Sequence, residues 1–201
     1  MDVGNLKTIM RDHHPQGFSL IELMIVLAVL AITLGLAAPS FQSAISTNRI
    51  ASAANEVTAA IQLARAEAIR SNRRVVLCRS DDLSACTAGS GAWKGWIVFI
   101  DADGSGQRDN GEEIVRNGAI DSPMFAYASS NIVALDNRIA FRSDGRARGS
   151  DGLAALNGTL ELCMASTYPA DNARDLNIAF GGRTTVLKKN TNGVCAAPTD
   201  S

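Results

Sequence analysis

The chain has 201 residues, of which 19% are charged, and its formal net charge is −1 at pH 7. This length leaves about one domain of ordinary size beside a membrane segment, and the net charge gives no overall indication of a nucleic-acid partner. The charge is unevenly distributed, because residues 79–121 carry four basic and eight acidic side chains whereas residues 138–189 carry eight basic and five acidic ones. Such an asymmetry is more often a solvated surface than a binding face.

An apolar run near the N-terminus contains a single carboxylate. From Leu23 to Ala38 the sequence reads LMIVLAVLAITLGLAA, and counted from Phe18 the run has the ~20 residues that a membrane-spanning helix needs. Glu22 lies near its beginning, where a charge in the bilayer costs about 2.5–3.5 kcal/mol and therefore indicates a partner or a function. A secretory signal peptide is the alternative, but the run is too long for one and no clear A-x-A cleavage site ends it.

The residues at the start of this run carry a specific resemblance. Gly17-Phe18-Ser19-Leu20-Ile21-Glu22-Leu23 resembles the N-terminal signature of type IV prepilins and type II secretion pseudopilins. The resemblance implies that prepilin peptidase cleaves after Gly17 and methylates the new N-terminal Phe18. It also implies that the polar leader stays on the cytoplasmic side of the inner membrane, while the domain beyond the helix lies in the periplasm.

The same resemblance offers a physical explanation for Glu22. Pilin-like subunits stack their N-terminal helices at the centre of a filament, so the partners of this helix would be other pilins or pseudopilins. The amine of Phe18 on an incoming subunit and the carboxylate of Glu22 on its predecessor would each be buried without a counter-charge. Pairing removes both penalties and fixes the axial register of assembly. The alternative is that Glu22 merely reaches the membrane interface.

The helical pattern continues beyond the apolar run. Apolar residues recur at three- and four-residue steps from Ile45 to Ala68, which predicts an amphipathic helix, and Pro39 predicts a kink before it. The chain is therefore divided into a prepilin leader at 1–17, a transmembrane half of the helix at 18–39, an amphipathic half at 40–72, and a β-rich globular domain with a C-terminal tail at 73–201.

Short apolar segments separated by Gly- and Asp-rich turns predict an antiparallel β domain. Five large aromatic side chains are interpreted as its core rather than as a ligand cage: Trp93, Trp96, Phe99, Phe141 and Phe180. The predicted strands are 74–78, 95–100, 113–116, 138–142, 159–163, 176–180 and 184–187.

Four cysteines form an even set in a chain that should be exported, which predicts disulfides. Three connectivities are open. We favour Cys78–Cys86, which closes a local loop, and Cys163–Cys195, which ties a strand to the C-terminal tail. Zinc is the competing interpretation, but the sequence contains no C-x-x-C pair.

Three segments narrow the resemblance. The helix end Ala-Arg-Ala-Glu-Ala-Ile at 64–69, the Trp-Lys-Gly-Trp-Ile-Val-Phe-Ile-Asp segment at 93–101 and Phe-Arg-Ser-Asp-Gly-Arg at 141–146 are similar to the GspH/FimT group of minor pilins and pseudopilins. The group implies an α+β fold, in which a long N-terminal transmembrane and amphipathic helix packs on a small antiparallel β-sandwich.

An Asp-rich segment between two predicted strands matches the loop of an EF-hand. Residues 101–112 place oxygen ligands at loop positions 1, 3, 5, 9 and 12, a glycine at 6 and a backbone carbonyl at 7. No cofactor is required by the predicted function, but calcium is a candidate ion here. Strands rather than helices flank the loop, so an Asp/Gly-rich hairpin turn is the alternative. The ligands would be Asp101, Asp103, Ser105, Gln107, Asp109 and Glu112.

A basic segment near the C-terminus is the third candidate site. In some members of the FimT group, a C-terminal Gly-Arg-x-Arg motif is tied to DNA uptake. Here Gly182 and Arg183 match, but Thr185 stands in place of the second Arg. Contacts from Arg and Lys to phosphate would give salt-sensitive binding without sequence preference, and a solvated basic edge is the alternative. The other candidate cations are Lys188, Lys189, Arg174, Arg146 and Arg148.

The processed chain would contain no histidine, because His13 and His14 both lie in the leader. This excludes Ser-His-Asp and Cys-His catalysis and His-ligated metal sites, so we predict a structural protein rather than an enzyme. The predicted function is that of a minor type IV pilin near the pilus tip, at the cell surface, with DNA binding and uptake in transformation as an added role. A type II secretion minor pseudopilin of the GspH type is the alternative.

Overall fold

A computed structural model describes residues 17–149 and 153–200 of the protein. The predicted leader therefore lies outside the described residues, except for Gly17. In these ranges the chain forms a long helix α1 (Leu20–Ser71), a one-turn helix α2 (Ser130–Val133) and two antiparallel sheets. The strands are β1 (Arg74–Arg79), β2 (Gly95–Asp101), β3 (Ile114–Ala119), β4 (Met124–Ala128), β5 (Arg138–Phe141), β6 (Ala147–Arg148), β7 (Gly158–Met164), β8 (Ala173–Ile178) and β9 (Thr184–Lys189).

α1 belongs to two compact units, one up to Ser40 and one from Phe41 to Ser201. We call the second unit the head. In the head, one stripe of α1 is buried at three- and four-residue steps, as an amphipathic helix requires, and this confirms the predicted pattern from Ile50 onward. Ile45, with which the predicted pattern begins, is 51% exposed. The predicted kink at Pro39 stays a prediction. The buried stripe consists of Ile50, Ala54, Val57, Ala60, Ile61, Ala64 and Ala68.

The first sheet has the strand order β3-β2-β1-β5-β6 and is covered on both faces. Val75 and Leu77 of β1 point into the main core with α1, whereas Val76 and Cys78 point to the opposite face, where they pack with Phe99 and its neighbours. Because both faces are buried, β1 and β2 read as nearly continuous apolar runs rather than as alternating ones.

The second sheet has the strand order β4-β7-β8-β9, and its inner face completes the main core. Two backbone hydrogen bonds connect the sheets at their sides. The N–H of Trp93 donates to the carbonyl of Ala126 (2.8 Å), and the N–H of Ala147 donates to that of Phe180 (2.9 Å). The α+β fold with two antiparallel sheets and a packed helix is the predicted one.

All seven predicted strands are present, with shifted ends, but β4, β6 and α2 were not predicted. The inward residues of β4 are Met124, Ala126 and Ala128, and alanines give little hydrophobic signal. β8 begins at Ala173 rather than at residue 176. The prediction missed this start because Arg174 occupies an inward position, where a polar residue interrupts the apolar pattern of a strand.

Both disulfides join the pairs that the sequence favoured, Cys78–Cys86 and Cys163–Cys195. Cys163 lies on the outer face of the second sheet, since its neighbours in β7 point into the core. The tail after β9 is therefore fixed to this outer face. It is held again at its end, where the carboxylate of Asp200 accepts a hydrogen bond from the N–H of Asn131 at the start of α2 (3.1 Å).

Candidate functional site

The start of α1 presents Glu22 within an exposed apolar surface. Glu22 lies in the first turn of the helix, where the helix dipole favours a carboxylate. The large apolar side chains from Leu20 to Leu34 are 50–77% exposed. Together they form a continuous apolar surface, and a soluble monomer rarely leaves a large surface of this kind uncovered. Among the helices that the structure describes, α1 is the one that is long and apolar enough to cross a membrane. This surface is suited to lipid or to other apolar helices.

The loop at residues 101–112 folds around the buried carboxylate of Asp101. Its Oδ1 accepts a hydrogen bond from the N–H of Gly104 (2.9 Å), and its Oδ2 accepts one from the N–H of Gly106 (3.1 Å). Oδ2 also forms an ion pair with the guanidinium of Arg74. Burial raises the pKa of Asp101, while Arg74 and the two N–H groups act in the opposite direction. The chain itself therefore satisfies this carboxylate.

The other predicted calcium ligands are exposed or half-buried and are linked by hydrogen bonds within the loop. Ser105 Oγ donates to Asp109 Oδ2 (3.1 Å), and Glu112 Oε2 accepts a hydrogen bond from the N–H of Asp109 (3.0 Å). One carboxylate oxygen each from Asp101, Asp103 and Glu112 lies within 4.8 Å of the other two. Calcium takes six to eight oxygen ligands, so three carboxylates form part of a cation site that further loop oxygens would have to complete.

The backbone carbonyl of Gln107, the ligand predicted at position 7, lies 3.2 Å from Ser105 Oγ and shares the single proton of this hydroxyl with Asp109. Hydrogen bonds from Ser105 also lower the pKa of Asp103, so this carboxylate is charged at neutral pH. The loop thus combines the charge that a cation needs with hydrogen bonds that a cation would have to replace.

Arg183, the best match to the C-terminal motif, lines an open groove of about 490 Å³ beside α1. Gln62 Nε2 donates to Thr184 Oγ1 across this groove (3.1 Å). Two guanidinium groups together with hydroxyl and amide groups suit an anion, because charge-assisted hydrogen bonds to carboxylate or phosphate are strong. The groove is lined by Thr58, Gln62, Arg65, Gly181, Arg183 and Thr184.

Arg146 and Arg148 lie over the ring of Phe180, with their guanidinium carbons 5.6 Å and 4.6 Å from its centroid. These distances are typical of cation–π contacts. The structure corrects the interpretation of Phe180 as a core residue, because its ring is only half-buried and lies beneath two arginines. The sequence alone gave no sign of this, since Phe180 is more than thirty positions from Arg146.

Two of the cations predicted to contact DNA are engaged within the fold, and the structure corrects their assignment. Arg174 is 5% exposed, and its Nη1 donates to the backbone carbonyls of Asp171 and Ala173. Lys189 Nζ lies 2.6 Å from Glu161 Oε2 and 3.3 Å from an oxygen of Asp175. Both cations therefore stabilise the second sheet instead of facing a ligand.

Lys188 is exposed on β9, and its contact with DNA stays a prediction. Glu161 itself is buried beside Lys189, and this burial raises the pKa of Glu161. Removing Lys189 would leave a buried carboxylate without its partner and would destabilise the second sheet. A loss of DNA binding in a Lys189 variant would therefore reflect impaired folding rather than a lost contact with DNA.

Arg65, which the sequence analysis missed, passes between two glycines. A Cβ built on Gly182 would lie 2.3 Å from the carbonyl oxygen of Gly145 and 2.9 Å from Arg65 Nε, and both glycines have positive φ, +75° and +73°. Arg65 Nη1 donates to the carbonyl of Gly182 (3.4 Å). Three motifs noted separately in the sequence, at 64–69, 141–146 and 181–183, thus meet at one place.

We call Arg65, Arg146, Arg148 and Arg183 the basic surface. The signal that could have revealed Arg65 was its place in the motif at the helix end, where it interrupts a run of alanines. In space, the segments that carry Arg65, Arg146 and Arg148 lie against the segment that carries Arg183.

Comparisons with known proteins agree with this fold and with the N-terminal motif. Residues 53–182 match the family described as type II transport protein GspH, and residues 13–38 match the prokaryotic N-terminal methylation motif. A pilin-like protein, PilA1, of Thermus thermophilus is 37% identical over 100 residues, which cover 49% of this chain and 56% of that relative. The chain therefore spans little more than half the length of this relative.

Two solved structures match this chain. The type IV minor pilin FimU of Pseudomonas aeruginosa, in space group P21, is 22% identical with a TM-score of 0.51, over 77% of this chain and 96% of that one. The minor pseudopilin EpsH from the type 2 secretion system of Vibrio cholerae is 11% identical with a TM-score of 0.46, over 69% of this chain and 96% of that one. At these identities, the similarity to FimU shows the fold alone.

The close approach of Gly145, Gly182 and Arg65 leads to a stability prediction. We expect Gly182→Ala to lower the free energy of unfolding by about 2–4 kcal/mol, because positive φ and steric overlap both oppose a side chain there. Gly181→Ala is the matched control, because a Cβ at Gly181 meets open space, and we expect it to change stability by less than about 0.5 kcal/mol. Urea denaturation followed by the fluorescence of Trp93 and Trp96 measures both variants, and equal stability would contradict the packing described.

Proposed function

Because this chain belongs to the GspH family and carries the N-terminal methylation motif, we propose that it is a minor subunit of a type IV pilus. In this proposal the chain is cleaved after Gly17 by prepilin peptidase, methylated on Phe18 and held in the inner membrane by the first half of α1. The head lies in the periplasm until the subunit enters the filament near its tip. A minor pseudopilin of a type II secretion system is the second assignment within the same family.

The observation that carries this proposal is the position of Glu22, a carboxylate in the first turn of a helix whose apolar side chains are exposed. When such helices bundle, lipid and water are both excluded, so an unpaired charge would be strongly destabilising. The amine that cleavage creates on Phe18 is a counter-charge that the unprocessed chain does not have. Pairing across subunits would then couple assembly to cleavage.

We expect Glu22→Ala to leave expression and leader cleavage unchanged and to reduce incorporation into filaments at least about tenfold, because an unpaired buried charge costs about 3–5 kcal/mol. Thr33→Ala is the control in the same helix, since Thr33 Oγ1 donates only to the helix's own Leu30 carbonyl. Immunoblots compare processed protein in membranes with that in sheared filaments. Wild-type amounts of the Glu22 variant in filaments would overturn the pairing role, and recovery only in filaments of secretion pseudopilins would favour the second assignment.

DNA binding is a second proposed role, and the basic surface is the specific observation that favours it. Phe180 holds two of the four guanidinium groups in place, so less side-chain entropy is lost when they engage a phosphate. Contacts of this kind would be independent of sequence and weakened by salt. The proposal includes Lys188 and leaves out Arg174 and Lys189.

We expect Arg146→Ala combined with Arg183→Ala to weaken binding of a duplex oligonucleotide and to reduce the salt slope of the logarithm of the binding constant by about 2, one for each lost phosphate contact. Lys94→Ala is the control, because Lys94 is 73% exposed and lies in the acidic part of the sequence. Mobility shifts of the full chain in detergent at several salt concentrations provide the measurement. Unchanged binding of the double variant at low salt would remove this assignment.

We further propose that the loop at 101–112 binds calcium weakly, with a Kd in the range of about 10⁻⁴–10⁻³ M that is typical of extracellular modules. The three clustered carboxylates support calcium binding, and the ion pair with Arg74 is the reason for low affinity, since it neutralises Asp101. Calcium would stiffen the turn between β2 and β3.

Calorimetric titration of the full chain with calcium tests this proposal. We expect heat of binding at millimolar calcium in the wild type and none for Asp103→Asn combined with Glu112→Gln, because the remaining oxygen ligands are too few. Asp121→Asn, an exposed carboxylate outside the loop, serves as the control and should bind as the wild type does. Absence of heat in the wild type at millimolar calcium would show that the loop is a hairpin turn.

A further inference from the structure

The head carries a second charged surface, of opposite sign to the basic surface. Between residues 101 and 113 there are five carboxylates and one basic residue, Arg108. Asp101 is buried against Arg74, whereas the other four carboxylates are exposed or half-buried. We call these four, Asp103, Asp109, Glu112 and Glu113, the acidic corner.

The acidic corner and the basic surface lie at the same end of the first sheet. In the register of that sheet, the last residue of β2 pairs with the first residue of β1, Asp101 with Arg74, and the last residue of β5 pairs with the second, Phe141 with Val75. The β2–β3 turn and the β5–β6 turn therefore emerge at one level, next to the end of α1. The β8–β9 turn joins this level through the hydrogen bond from Ala147 to Phe180.

The two surfaces lie at opposite edges of that sheet. In the strand order β3-β2-β1-β5-β6, the centres of the β2–β3 turn and the β5–β6 turn are three strand spacings apart, or about 14 Å at ~4.8 Å per spacing. One head cannot bring its own acidic corner onto its own basic surface, because the paired strands of the sheet hold the two turns apart. A second head placed alongside, at the same height and in the same orientation, brings the two surfaces together.

We propose that the basic surface of one head binds the acidic corner of the head beside it, contributed by a second copy of this chain. The contact is heterologous, because two different patches meet, and it therefore gives the row of heads a direction. Chains anchored in one membrane by the same helix place their heads on the same side of it, so the inference rests on the membrane anchoring in the proposed function.

This contact is weak between free molecules and effective between anchored ones. Exposed ion pairs contribute little individually and are screened by salt. Each surface also contains a charge of the opposite sign, which weakens its attraction for the other surface. An oxygen of Asp144 lies 3.9 Å from the guanidinium of Arg146, and Arg108 donates a hydrogen bond to the carbonyl of Glu112. Anchoring raises the effective concentration of neighbouring heads to about the millimolar range. At that concentration even a weak contact, with a dissociation constant of about 1 mM, forms in a large fraction of neighbouring pairs.

Charge-swapped variants of the full chain in lipid vesicles test the proposal. One variant carries Arg146→Glu with Arg183→Glu, and the other carries Asp109→Lys with Glu113→Lys; all four side chains are exposed, so folding should be retained. A photo-crosslinking amino acid at Thr185, which is exposed on β9 beside Arg183, reports the contact, and two different tags distinguish the chains. A chelator keeps calcium away from the acidic corner.

We expect each variant alone to lose dimer crosslinks about tenfold relative to the wild type, and the mixture to recover crosslinks between the two tags, because opposite charges then face each other again. Raising the salt from about 0.05 M to about 0.5 M should also reduce crosslinking of the wild type. Failure of the mixture to recover crosslinks, or crosslinking that neither variant changes, would overturn the proposal.

An effect of the basic variant on DNA binding alone, with crosslinking unchanged, would assign the basic surface to nucleic acid and would also overturn the proposal. Crosslinking in vesicles needs the anchor but neither cleavage nor filament assembly. Its failure is therefore distinguishable from a failure of the proposed pilus function, which the Glu22 variant reports independently.

Discussion

The packing of α1 against both sheets is the interaction on which the rest of the head depends. Its buried stripe is largely alanine, at positions 54, 60, 64 and 68, and these small side chains let the strands approach the helix closely. The hydrophobic free energy of this contact holds the two sheets in one core. The same close approach explains why Gly145 and Gly182 lack side chains, since the stem of Arg65 occupies the remaining space.

Charged residues of similar appearance in the sequence divide into two groups in the structure. Arg74, Arg174 and Lys189 are buried or paired with groups of their own chain and support the fold. The arginines of the basic surface are held at the periphery, two of them by the ring of Phe180. A stable head with a charged exterior results, in which the cations available to a partner come from three separate segments of the chain.

Much of the fold could be predicted from the sequence, because it rests on signals that are local. The 3.6-residue period predicted the amphipathic helix, apolar runs predicted seven strands, and an exported chain with four cysteines predicted disulfides. β4 gave no such signal, since its inward side chains are mostly alanine. The candidate sites were predictable only where their residues are contiguous. Arg65 and Phe180 join the basic surface through contacts between distant segments, and Arg174 and Lys189 were misassigned because a sequence does not show which charge already has a partner.

The hydrogen bonds between α1 and the β8–β9 segment connect residues that are 117 and 122 positions apart, Arg65 with Gly182 and Gln62 with Thr184. Contacts between such distant residues form late, because the loop that they close costs entropy before any burial compensates for it. During synthesis the apolar stripe of α1 leaves the ribosome before all nine strands, and β8 and β9, which cover one flank of it, follow the other seven. Until β8 and β9 have been synthesised, the apolar stripe of this helix would stay partly exposed, and an exposed apolar surface of this kind favours aggregation or chaperone binding. Because of this order of elements, the form of the protein most prone to aggregation is the nascent chain before the β8–β9 hairpin has been synthesised.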